Sequence, residues 1–138
     1  MKRWKKILFT TILIFFLIGV AYAWYIWNKP ARDVTNEEGI QISAVAIFDS
    51  FSNNEQAAKA SFLNKAIEVT GTVSSVKKNQ AGETVLYLKS NDPVFGVNCT
   101  FKQDPGVIEK GSTITFKGIC TGYLSDVVLN GGIMVNKQ

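Results

Sequence analysis

Residues Ile7 to Trp27 form a run of 21 residues without a single charge. As a helix this run would measure roughly 31 Å, the thickness of a bilayer core of about 30 Å. Trp4 stands at one end and Trp24, Tyr25 and Trp27 at the other, where amphipathic rings settle at the two interfaces. Its threonines, Thr10 and Thr11, can bond back to their own helix. Four basic residues, Lys2, Arg3, Lys5 and Lys6, precede the run, whereas Asp33, Glu37 and Glu38 follow soon after it. The positive-inside bias therefore predicts a basic cytoplasmic tail (1–6), a transmembrane signal-anchor helix (7–27) and export of the remainder. A cleaved signal peptide is the alternative, with Ala21-Tyr22-Ala23 as the cleavage site and a secreted or periplasmic product. Against cleavage, the apolar run continues past Ala23. No lipobox cysteine lies near its end. Both readings place the rest of the chain outside the cytoplasm.

Charge narrows the function. The chain carries a net +4, but residues 1–32 hold six basic and no acidic residues. The remaining nine basic and eleven acidic residues leave 33–138 at −2. A domain with that balance lacks the positive footprint of a phosphate binder. There is no histidine, which removes Ser-His-Asp and Cys-His catalysis and every zinc site that needs histidine. Two cysteines, Cys99 and Cys120, are too few for a structural zinc site and too far apart for a redox pair of the C-x-x-C kind. No phosphate-binding loop or paired-carboxylate motif is present. Neither a metal nor a cofactor is expected, and the chain reads as non-catalytic.

After the anchor, residues 28–42 are polar, contain Pro30 and Gly39, and show no periodicity, as a juxtamembrane linker would. Residues 43–63 carry a helical pattern. Ser43 is placed to cap a helix with Ile47, Phe48 and Phe51 on one face. Asn53 with Gln56 resembles a capping box for a second helical turn containing Ala57, Ala58 and Phe62. A helical hairpin and one kinked helix fit equally well, in either case packed on the domain that follows.

From residue 64 to 136 the period becomes two. Ile67, Val69, Gly71 and Val73 share a face, and Val76 falls out of phase, which predicts a bulge. Leu86 and Leu88 oppose Val85 and Tyr87. Phe95, Val97, Cys99 and Phe101 are expected inside, as are Ile114, Phe116 and Cys120. Tyr123-Leu124-Ser125 reads as a hairpin connection, and strands at 126–129 and 133–135 flank Gly131-Gly132. Five short strands with a long, bent first strand predict a mainly β fold, a five-stranded OB-fold-like barrel; an SH3-like barrel is the nearest rival.

Gly118 and Gly122 flank Cys120, as barrel corners require, and Asp126 is placed to bond local backbone at a strand start. With both cysteines facing inward on the exported side, a Cys99–Cys120 disulfide and two unpaired core cysteines are both open. A thiol-dependent enzyme would rest on these two residues alone.

The segments LNKAIEVTGTV, VFGVNCTF and KGSTITFKGICTGYLSDVVLNGGIMV, together with the anchor, NKPARDV and the F-x-x-N-E-x-x-A stretch, resemble the tRNA_anti-like family of membrane-tethered or exported bacterial OB-fold domains. The resemblance implies an OB-fold and no assigned catalysis. Many relatives have a further cysteine just after V-V-L, where this chain has Asn130, Gly131 and Gly132.

In an OB-fold the second and third strands and adjoining loops form the ligand face. Here that face maps to Tyr87, Lys89, Asn98, Thr100 and Lys102. One ring, two lysines and small polar groups suit an envelope glycan, peptide or protein partner. Single-stranded nucleic acid is the alternative; it calls for several stacking aromatics in a positive groove, and only Tyr87 is placed on this face.

Overall fold

The computed structural model describes residues 2–30 and 32–137, so Met1 of the predicted tail and Ala31 of the predicted linker lie outside the described residues. The chain divides into two units, 1–32 and 33–138. The first is one helix, α1 (Lys2–Trp27), without a buried residue. It is long and apolar enough to cross a membrane. Both threonine hydroxyls donate to carbonyls of the preceding turn, Thr10 to Lys6 at 2.9 Å and Thr11 to Leu8 at 3.2 Å, so neither presents an unsatisfied donor.

The second unit contains β1 (Ile40–Ser43), α2 (Ala44–Asn53), α3 (Glu55–Phe62), β2 (Ala66–Lys78), β3 (Thr84–Lys89), β4 (Gly96–Phe101), β5 (Thr113–Leu124) and β6 (Asp126–Lys137). The sheet runs β1-β2-β3-β4-β6-β5, and a β2–β5 pairing closes the last five strands into a barrel. Its β4–β6 pair is parallel while the other barrel pairs are antiparallel. That parallel step excludes a simple meander and makes the barrel the OB type predicted. The register shifts between Val73 and Ser75, where the phase break at Val76 predicts a bulge. The long β2 thereby pairs with β5 through its first half and with β3 through its second.

Alternation carries through to the core. Ile67, Val69, Val73, Leu86, Leu88, Val97, Cys99, Phe101, Ile114, Phe116 and Cys120 are all buried, joined by Val127 and Leu129. The helices are separate elements that cover one end of this barrel. Ser43 Oγ accepts from Ala46 N at 3.1 Å and starts α2. Phe48 and Phe51 enter the core, and Phe51 stacks on Tyr123 with centroids 5.5 Å apart.

Several expectations are corrected. The second cap is Asn54, whose Oδ1 accepts from Ala57 N at 3.1 Å, and not Asn53. The segment 28–42, expected as a linker throughout, contains β1, which lies parallel on β2 with Ile40 opposite Ile67. Val34 within it is buried. Phe95 is 41% exposed and precedes β4. Asp92 Oδ1 accepts from both Val94 N and Phe95 N, and this turn interrupts the strand alternation before Gly96. Tyr123 and Leu124 belong to β5; the connection to β6 is Ser125 alone, at φ 69°. The final strand is continuous through Gly131 and Gly132.

Candidate ligand-binding face

Strands β3 and β4 place Tyr87 directly opposite Asn98, and Val85 opposite Thr100, on the outer side of the barrel. Tyr87 is half-buried. Asn98 Nδ2 donates to Tyr87 Oη at 3.2 Å, while Asn98 Oδ1 is buried with no hydrogen-bond partner among the described residues. A buried acceptor left without a donor costs about 1–3 kcal/mol, so its presence calls for a reason. The Lys77 ammonium lies 5.9 Å from the centre of the Tyr87 ring, where the negative π-face attracts a cation. Ser74 Oγ donates to Tyr87 O at 3.0 Å and braces the strand beneath.

Of the five predicted face residues, Tyr87, Asn98 and Thr100 come together. Lys89 is exposed at the end of β3, opposite Gly96. Lys102 lies beyond β4, and its ammonium is 3.9 Å from Asp33, so it is directed toward the segment that precedes β1. Lys77 belongs to the face but was not among the predicted residues. Its signal was the bulge at Val73/Ser75, because register beyond a bulge decides which side chain points outward.

The structural residues have defined tasks. A Cβ on Gly118 would stand 2.6 Å from the Phe116 ring. Gly122 sits at a register shift between β5 and β6. Asp126 Oδ1 accepts from Gly96 N at 2.7 Å, tying the first residue of β4 to the start of β6 across the sheet and not to its own turn.

Cys99 and Cys120 are free and buried. Both are register partners of Leu129, one from each side, so β6 runs between them. Of the two states left open by the sequence, the structure has the unpaired one. Burial pushes the Cys99 thiol well above its ordinary value; it also raises Cys120, partly offset by a hydrogen bond from the Gly122 backbone. Both thiols should resist alkylation at neutral pH until denaturant is added, and mass spectrometry without reductant should find two free thiols. The raised Cys99 value gives the sign of a pH effect. The stability from keeping that thiol neutral is present below the unfolded value of about 8.5 and is lost as pH rises through the higher folded value.

Substitution at Asn98 separates folding from binding. Asn98→Val removes the unpartnered oxygen and suits a strand. Unfolding free energy should stay unchanged or rise by up to about 1 kcal/mol in urea titrations. A loss of more than that would make Asn98 a structural residue.

The sequence model of the tRNA_anti-like family matches residues 1–131. The chain belongs to the tRNA_anti-like family. Among solved structures, this tRNA_anti-like chain is similar to a proposed nucleic acid-binding lipoprotein from Klebsiella pneumoniae. The two are 18% identical, with a TM-score of 0.56 over 78% of this chain and 100% of that one. It is also similar to a structure of yeast Stn1 and Ten1, at 12% identity and a TM-score of 0.47, over 73% of this chain and 65% of that one. The Klebsiella likeness shows a shared fold. No curated protein matches the sequence.

Proposed function

We propose that this tRNA_anti-like protein is a non-catalytic binding module. In this reading α1 tethers it to the cytoplasmic membrane with the N-terminus inside, and the barrel meets an envelope glycan, peptide or protein through its β3–β4 face. The observation that carries the binding site is the Tyr87–Asn98 pair. It joins a half-buried ring, with the Lys77 ammonium 5.9 Å from its centre, to a hydroxyl held by Asn98 Nδ2 at 3.2 Å, so the ring is fixed on the face where a ligand can stack or accept. The uncharged run of α1 and the lysines and arginine before it support the tether. The lack of histidine and the burial of both thiols support a non-catalytic role. The test is a photoreactive residue at position 87 of the full chain in cells, with position 70, on the outer side of the β2–β5 pair, as the control. A discrete adduct at 87 and none at 70 is expected. Adducts at neither position, or equally at both, would remove this face from the account.

A second reading, single-stranded nucleic acid, draws support from the cation over the Tyr87 ring and from the description of the Klebsiella lipoprotein as a proposed nucleic acid binder. Fluorescence anisotropy of residues 33–138 with a labelled 15-nucleotide oligothymidylate decides it. Micromolar binding that weakens steeply with salt would replace the first reading.

A further inference from the structure

The end of the barrel covered by α2 carries a groove of about 390 Å³, lined by Phe48, Ser52, Asn91, Asp92, Phe95 and Tyr123 among others. Its size falls within the range of small-molecule sites. Three aromatic side chains, Phe48, Phe95 and Tyr123, line it, and packing holds two of them in place. Phe48 and Tyr123 are edge to face at 6.1 Å, and Tyr123 rests on Phe51. Phe95 is held at the surface by its turn, with Phe95 N on Asp92 Oδ1 and Phe95 O accepting from Ser90 Oγ. A ring that strand alternation would have buried is thus presented to the groove.

Among the described residues the lining holds one charged group, and it is acidic. Asp92 lines it and spends Oδ1 on the two backbone bonds of the turn. Asp49 Oδ2 accepts from the lining amide of Asn91 at 2.9 Å, and Asp126 follows the lining residue Ser125. Among the described residues the lining includes no lysine or arginine, and Lys89, the nearest in sequence, extends from the end of β3. Ring faces attract cations, and an anionic rim adds to that attraction. A hard metal ion would need six or more oxygen ligands, and one lining carboxylate does not supply them. We propose that this groove binds an organic cation, an alkylammonium or guanidinium group. The site is separate from the β3–β4 face, and either reading stands if the other fails.

The test uses residues 33–138, whose core is complete without α1. Amide NMR spectra are recorded while adding choline, its neutral isostere 3,3-dimethylbutan-1-ol, or end-blocked arginine. Saturable shifts at residues 90–96, Ser52 and Ser125 are expected with a cation, at least tenfold weaker with the isostere. Phe95→Leu should weaken binding at least fivefold with an otherwise native spectrum. Asp92→Asn, which keeps the Oδ1 acceptor for the turn and removes the charge, should do the same. Choline alone binding identifies a small free cation; arginine alone identifies a partner's side chain. Equal binding of the isostere, shifts elsewhere, or no shifts would overturn the proposal.

Discussion

Gly132→Ala is expected to destabilise the barrel by about 3 kcal/mol, the upper end of ordinary overpacking. An added Cβ would collide with Phe116 Cζ and lie 2.7 Å from Lys117 O. The ring has little room to retreat. Phe116 is wholly buried, lies edge to face with Phe101 at 5.0 Å, and passes Gly118 closely enough that a Cβ there would also collide. Gly118 and Gly132 are therefore the space that Phe116 occupies. In thermal unfolding of residues 33–138 the loss should lower Tm by roughly 12 °C or more. Gly82→Ala is the matched control: no atom lies within 4 Å, and the cost is only that of a positive φ, about 1–2 kcal/mol. Equal losses at the two positions would contradict the packing argument.

Phe51→Ala should cost about 3–5 kcal/mol, because it deletes a buried ring from a site that cannot collapse. Phe51 is 1% exposed, stacks on Tyr123 and lies 6.0 Å from Phe62, so it joins α2, α3 and the barrel. If the helices were an appendage, the loss would stay below about 1 kcal/mol and urea unfolding would show a separate early step. An integral helical cap gives a single transition shifted to lower urea, and faster amide exchange along 44–62.

The barrel was legible because period-two alternation is a consequence of strand geometry, and Cys99, Phe101, Ile114 and Phe116 had nowhere else to point. Phe95 was misread because an aspartate side chain, rather than the hydrophobic pattern, decides where β4 begins. Strand β1 left no sequence signal. Four residues are too few to show a period, and the strand exists because the first half of β2 has an edge that β3 does not use. At the candidate face the sequence supplied Tyr87, Asn98 and Thr100, since one strand pair and its parity suffice for them. Lys77 needed the register beyond a bulge. Lys102 needed the position of Asp33, a contact of 69 residues' separation that no local pattern encodes.

The proposed envelope role requires the barrel to lie outside the cytoplasm. The most direct measurement is protease accessibility of the full chain with a C-terminal tag, in intact cells with a permeable outer envelope and in lysed cells. Digestion of the tag in intact cells is the predicted result, and directs the search for a ligand to envelope glycans, peptides and proteins. Protection until lysis would contradict it, put the barrel in the cytoplasm, and make single-stranded nucleic acid the first ligand to test.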